Sequence, residues 1–509
     1  MLSIRVLFLL VAAVSGATTN DQPGHRGGHQ HPGKSQAARC QALCSCLDAK
    51  FPQLVSYEGQ ATYISEQNYW SQQQANTKPV CRFTPTSAED VSVAIKEIRD
   101  YGCPFAVKSG GHASFQGASN VDGGITIDLL KLSEINVSAD RKITHTGTGN
   151  RWEDVYSKLD PMNLAVIGGR NGDIGVGGLP LGGGISFFSG FHGWACDNVQ
   201  NYQVVLADGR IVNANQSSHP DLYFALRGGG NNFGVVTRMD LETFEQGLLW
   251  GGSTVYSLDK NSSLYDAFYW FNVNAKDDPN AALIVSAACI KAIGSCLFSN
   301  NYNYIEPEVN PPVFHNFTRV QNVTSTQRIS NLLDFTNELK STQPNGYRQA
   351  FFSITLLNDA QIMKDILNDI WYPAVQPLLK VEGFLGTLVF QVITEPIIEK
   401  FSKAGGNALG ITAEQGPLMV LNMDFQWNST TDDDQVLSIE NTIIEKATAL
   451  AKSRGLFHRY IYQNYAYITQ DVFDGYGPQS KARLLKVQRD YDLKHVFVDL
   501  QPGYFKIRP

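Results

Sequence analysis

The chain has 509 residues, 43% of them hydrophobic and 11% aromatic, with a net charge of −7. That is enough apolar material for two or three packed domains. With no Lys/Arg block and an acidic balance, a nucleic-acid footprint is excluded, and an anionic membrane surface is an equally poor partner.

The chain opens MLSIRVLFLLVAAVSGA: one arginine, an apolar run, then small residues at Ser15 and Ala17. This reads as a secretory signal over 1–17, because the run is too short to span a bilayer. No other stretch approaches a spanning length. Secretion is expected, with no membrane association once the signal is removed. Residues 18–39 are polar and rich in Gly and His, and a disordered linker is expected there. His25, His29 and His31 offer metal-ligand atoms, but a solvated linker is the preferred reading. With no H-E-x-x-H or comparable cluster elsewhere, no metal site is expected. Sequons at Asn136, Asn215, Asn261, Asn316, Asn322 and Asn428 are candidate glycosylation sites. Eight cysteines fit an oxidising compartment. One of Cys40, Cys44 or Cys46 is expected to pair with Cys81, and Cys289 with Cys296. Cys103 and Cys196 read equally as small buried hydrophobes.

Ordered texture begins near residue 80. PTSAEDVSVAIKEIRDYG has a Ser entry, acids in its first turn, Val91, Ala94, Ile95 and Ile98 at helical spacing, and a closing Gly102. It predicts a capped amphipathic helix. PFAVKSGG predicts a strand running into a glycine turn, and GGITIDLLKL a second strand. ITHTGTGNRWEDVYSKLD reads as strand, turn and helix. VVLADGRIVNA reads as a hairpin about Asp-Gly. DLYFALRGGGNNFGVVTRMDLETF reads as helix, glycine turn and strand. Beyond residue 248 glycine thins out. RISNLLDFTNELKS, QIMKDILNDIWYPAVQPLLK and DQVLSIENTIIEKATALAKS have helical periodicity, with strand-like QAFFSITLL and GTLVFQVI between them. The fold class is α+β.

Glycines gather in four clusters: SGGH (109–112), GGRNGDIGVGGLPLGGG (168–184), FHGWACDNV (191–199) and RGGGNNFGVV (227–236). Backbone this permissive lets a ligand approach closely, and its exposed N–H groups suit a pyrophosphate. A nicotinamide-type fold is disfavoured, because Pro180 and the glycines after it break the helix that a G-x-G-x-x-G turn must open.

In this order, VKSGGHASFQG, ITIDL, IGVGGLPLGGG, GWACDNVQNYQVVLADG and DLYFALRGGGNNFGVVT resemble the FAD-linked oxidases of the vanillyl-alcohol oxidase (PCMH-type FAD-binding) superfamily. YQNYA and the closing QPGYFKI are similar to its berberine-bridge-enzyme-like branch, in the secreted fungal form. The resemblance runs from about Cys40 to the end. It implies a two-part FAD-binding domain over 40–247 with a C-terminal return over 456–509. It also implies a substrate domain over 248–455, an antiparallel sheet covered by helices.

The resemblance makes His112 the covalent anchor of the flavin, through the cofactor's 8α-methyl carbon. A neutral imidazole is a suitable nucleophile. Other cofactor contacts are expected at Lys108, Ser109, Gly110, Gly111, Gly117, Gly172, Asp173, Gly177, Gly178, Gly183, Val235 and Asn464. Some relatives add a cysteinyl bond, but the matching position here is Asn171, so a single link is expected. Lys108 replaces the usual arginine and loses its fork. Ile174 stands where the family tunes oxygen access, which leaves O2 or another acceptor open.

Tyr465 is the first candidate for base or proton relay, and Asp424 the second. Tyr462 and Tyr467 are weaker, and packing is preferred for Tyr467. Asp424 could equally face solvent. The expected activity is oxidation of a small organic molecule by hydride transfer to FAD, in secondary metabolism by analogy. Oxidation of an alcohol or sugar hydroxyl is the alternative, and a catalytically inactive flavin-fold binding protein the alternative of another class. A monomer is expected.

Overall fold

The computed structural model describes residues 35–509. The signal segment, most of the expected linker, and His25, His29 and His31 lie outside the described residues. The linker expectation fails at its C-terminal end, where a helix spans Gln36–Lys50 and is capped by Ser35 Oγ, which accepts from Ala38 N at 3.3 Å. Cys40, Leu43, Cys44 and Leu47 form its buried face, a helical spacing masked by the polar residues between them.

Three sheets follow in chain order. In the first, Cys81–Phe83, Ile125–Asp128 and Phe105–Lys108 are parallel, with Val55–Ser56 antiparallel at the edge. The predicted helix spans Ala88–Tyr101 and packs with this layer. Ser87 Oγ accepts from Asp90 N, and Gly102 ends the helix in the left-handed conformation. Val91, Ile95 and Ile98 are fully buried, and each contributes roughly 1.5–3 kcal/mol of hydrophobic stabilisation. Two disulfides, Cys40–Cys103 and Cys44–Cys81, tie the N-terminal helix to this layer. Cys103 is therefore bridged, whereas Cys196 is free and buried and Cys46 is free.

The second sheet is antiparallel. Its order is Ile135–Val137, Ile143–Gly147, Val235–Glu245, Val199–Val205 and Ile211–Asn215, with Leu164–Val166 also on Val235–Glu245. The hairpin about Asp208-Gly209 is present, with Leu206 N donating to Arg210 O at 2.9 Å.

The third sheet has nine antiparallel strands. Leu249–Ser257, Ser295–Tyr304, Ala281–Ile290, Leu385–Ile393, Leu418–Trp427 and Arg348–Leu357 lie side by side in that order. Strand periodicity splits its residues between two faces. Met419, Leu421, Met423, Phe425 and Trp427 enter a core shared with the helices Asn261–Asn274 and Asp433–Ser453. Asn422, Asp424 and Gln426 point the other way, into a cavity. Cys289–Cys296 closes the hairpin between two of these strands. The chain then returns to the first two layers. Tyr460, Tyr462 and Ala466 join the core around Trp152 and Trp194, and Val496 and Phe497 join that of the first sheet.

Among the described residues no helix is long and apolar enough to cross a membrane. Nor do any three His, Cys, Asp or Glu residues there form a group that could hold a metal ion.

Candidate active site

A cavity of about 620 Å³ lies between the glycine turns, the C-terminal return and the open face of the nine-stranded sheet. Its upper wall depends on one close backbone approach. A Cβ at Gly110 would sit 2.4 Å from Gly175 N, and a Cβ at Gly175 would sit 2.2 Å from Gly110 N. Neither position tolerates a side chain. Ser109 fixes the same turn: its Oγ donates to Thr148 O at 2.6 Å and accepts from Gly177 N at 3.0 Å. Gly110, Gly111, Gly177, Gly178 and Val235 line the cavity with Ser109.

His112 also lines it. Its Nε2 is buried without a protein partner, and Trp70 stacks on its ring. Burial lowers its pKa to about 4, so the imidazole is neutral at neutral pH with a lone pair free. Both side-chain amide atoms of Gln463 and Oε1 of Gln501 are likewise buried and unpartnered, and both residues line the cavity. Buried polar atoms without partners mark a place where a ligand belongs. With apolar Val107, Leu129 and Val236 beside them, these groups fit a long cofactor with apolar and polar parts, as FAD has.

Five of the expected contacts do not reach the cavity. Lys108 Nζ is turned back onto Asp128 Oδ2 (3.0 Å) and Glu66 O (2.7 Å), because a buried ammonium needs a counter-charge. Asp173 pairs with Arg151 at 2.6 Å and Lys340 at 3.5 Å. Gly172 N donates to Thr336 O. A Cβ at Gly183 would meet the Trp194 ring at 2.7 Å, and the Gly117 carbonyl abuts Gly503.

The C-terminal return brings in Tyr462, Asn464 and Tyr465. Asn464 Nδ2 donates to Leu179 O and to Tyr462 Oη, each at 3.0 Å. Tyr462 Oη also accepts from Gly184 N and Ile185 N, and burial pushes its phenol up. Tyr465 Oη accepts from Arg170 Nη2 at 3.0 Å, and the same nitrogen donates to Gln391 Oε1. Tyr467 stacks on Phe352 with ring centroids 4.5 Å apart, in packing rather than at the cavity.

Asp424 faces the cavity, not solvent. Asn422 Nδ2 donates to its Oδ1, yet burial wins and pushes its carboxyl up to about 7. Asn171 and Ile174 are on the wall, and Asn171 Nδ2 donates to Gln343 Oε1 at 2.9 Å. Asn136, Asn316, Asn322 and Asn428 are exposed, while Asn215 and Asn261 are half-buried.

Sequence reasoning missed Arg170, Gln391 and Trp70. Trp70 and Gln391 stand in stretches with no recognisable signature, Arg170 stands inside a glycine cluster, and only the three-dimensional return of the chain places them on one wall. Among Gly168 to Gly172 an arginine reads as a turn residue.

A family model described as an FAD binding domain matches residues 79–215. The chain is 38% identical over 452 residues to the FAD-dependent monooxygenase tpcD of Cochliobolus heterostrophus, covering 86% of this chain and 87% of that protein. It is 30% identical to the bifunctional solanapyrone synthase of Alternaria solani, covering 98% and 93%. Among solved structures it resembles 6-hydroxy-D-nicotine oxidase of Arthrobacter nicotinovorans, with TM-score 0.72, 19% identity and coverage of 89% and 97%. It also resembles Physcomitrella patens BBE-like 1, with TM-score 0.71, 18% identity and the same coverage. With these relatives, this cavity and this α+β architecture, the chain belongs to the FAD-dependent oxidoreductases of the vanillyl-alcohol oxidase, PCMH-type superfamily.

Proposed function

We propose that this enzyme is secreted and oxidises a small organic substrate at a flavin held by a single covalent bond from His112, in secondary metabolism. The observation that carries this reading is one cavity with His112, Tyr465 and Asp424 all on its wall. Bound FAD supplies the hydride acceptor and passes the electrons to O2 or another acceptor. His112 is suited to the anchoring role because its neutral ring has a nitrogen that no protein atom uses. With Asn171 at the position of a second link, the anchor is single.

The raised carboxyl of Asp424 supports placing it ahead of Tyr465 as the candidate base. Tyr465 Oη accepts from Arg170, and its O–H can donate to the substrate. Asp424 has a carboxyl poised near neutrality and takes the substrate proton. Tyr465 then orients the substrate. Val255, Ile284, Val389, Leu385 and Leu297 alternate with Ser299, Ser286 and Asn422 across the sheet face. That mixed floor, with Asn301, Thr387 and Gln426 also on it, suits a metabolite carrying both apolar and hydrogen-bonding parts. The solanapyrone synthase relative supports a natural-product role, and the disulfides support an oxidising compartment. Glycosylation at the four exposed sequons belongs to the same reading.

The test is flavin bleaching by candidate metabolites without oxygen, measured against pH in wild type, Asp424→Asn and Tyr465→Phe. The rising limb near pH 7 is expected to vanish in Asp424→Asn and to persist in Tyr465→Phe. The opposite pattern would return the base role to Tyr465.

A further inference from the structure

Arg170 is 8% exposed. Among the described residues it forms no ion pair: its Nη2 donates to the neutral oxygens of Gln391 and Tyr465, and its Nε and Nη1 donate to no protein atom. It borders the main cavity on one side and a void of about 20 Å³ on the other, room for about one water. Asp278 on the rim of that void accepts from Asn280 N instead. Fully buried Arg227 donates to the carbonyls of Lys403, Ala404 and Gly406, and the cations nearer the cavity have carboxylate partners. Lys108 and Arg82 share Asp128, and Arg151 pairs with Asp173.

A guanidinium at a cavity wall, with two N–H-bearing nitrogens that no protein atom takes and no counter-charge beside it, is suited to receive an anion. Its neighbour sharpens the chemistry. Tyr465 Oη accepts from Arg170, and its hydroxyl hydrogen is left to donate into the cavity. Two donors, one of them charged, therefore stand together on the cavity wall, with only neutral oxygens bound to Arg170. Such a pair recognises an anionic oxygen.

We infer that the cavity takes a substrate bearing an acidic oxygen, a carboxylate or an enolate, and that Arg170 with Tyr465 is the specificity-determining pair that binds it. This rests on the oxidoreductase reading above and adds the substrate's charge. Asp424 and Asn422, elsewhere on the floor, stay free for the carbon that is oxidised.

The experiment uses purified, flavin-loaded protein and matched acid and amide pairs: benzoate with benzamide, and 2-naphthoate with 2-naphthamide. Binding is read by calorimetry and by perturbation of the flavin spectrum. Wild type is expected to bind at least one acid about tenfold or more tightly than its amide. Arg170→Met is expected to erase that difference, and Arg170→Lys to keep part of it. An unchanged flavin spectrum in both variants shows an intact fold. If neither acid binds more tightly than its amide in wild type, whether or not either binds, the inference is overturned. The same holds if the preference survives in Arg170→Met. A cation that balances only the cofactor gives the first of these results. A protein purified without flavin would instead contradict the oxidoreductase reading, while calorimetry still reports the acid–amide difference.

Discussion

The indole of Trp70 lies flat on the imidazole of His112, with ring centroids 4.3 Å apart and planes 9° from parallel. Trp70 is itself pinned, because its Nε1 donates to Gln343 O at 3.2 Å. The stack fixes the plane of the histidine and so the direction of its free nitrogen. Trp70→Ala is expected to leave a folded protein with a several-fold lower fraction of flavin held covalently. The ratio of flavin fluorescence to protein in a denatured band measures this.

Asp424→Asn is expected to lower turnover by roughly 10²–10⁴-fold, the usual contribution of a positioned base. Stability should move the other way. The folded carboxyl titrates near 7 and the unfolded one near its ordinary value, so the folded state holds the extra proton between them. Wild-type stability therefore falls as pH rises from about 4 to about 7, and the loss is complete above that window. The asparagine variant has no such proton to lose. Thermal melts at pH 4.5 and pH 8 should show a gain over wild type that is larger at the higher pH.

Gly175→Ala is expected to cost at least about 3 kcal/mol, since its Cβ would meet backbone that cannot move aside. Low secretion and colourless protein would follow. Gly178→Ala is the control, because nothing lies within 4 Å of a Cβ there. It should express normally.

Loop length orders the disulfides. Cys40–Cys103 closes a separation of 63 residues and Cys289–Cys296 one of 7. By chain entropy these contribute about 4 and about 2.5 kcal/mol. Replacing the first pair by serines should lower the melting temperature more than replacing the second.

Local chemistry made much of this fold legible. The helix Ala88–Tyr101 declared itself by Ser87, its acids and Gly102, and the hairpin by Asp208-Gly209, because caps and turns are decided by neighbours in sequence. The fold class and the pair Cys289–Cys296 came through as well, and Cys81 is bridged to Cys44, one of the three partners open to it. The helix Gln36–Lys50 did not, because its stability comes from two disulfides and burial against a distant sheet. The cavity was half legible. His112, Asn464 and Tyr465 carry family motifs. Lys108 carries one too, yet it turns inward, because a motif gives residue type and not the direction of a side chain. Arg170 sits in a glycine cluster that draws the eye to its backbone, and its side chain's meaning depends on Gln391 and Tyr465, which are far from it in sequence.

The proposed chemistry of this site turns on His112 holding the flavin. The most direct measurement is peptide mass spectrometry on the acid-denatured secreted protein, wild type beside His112→Ala. The account predicts flavin on the peptide containing His112 in wild type, none on any peptide in the variant, and none on the peptide containing Asn171 in either. Flavin released entirely by acid from wild type, or retained covalently by His112→Ala, would contradict it.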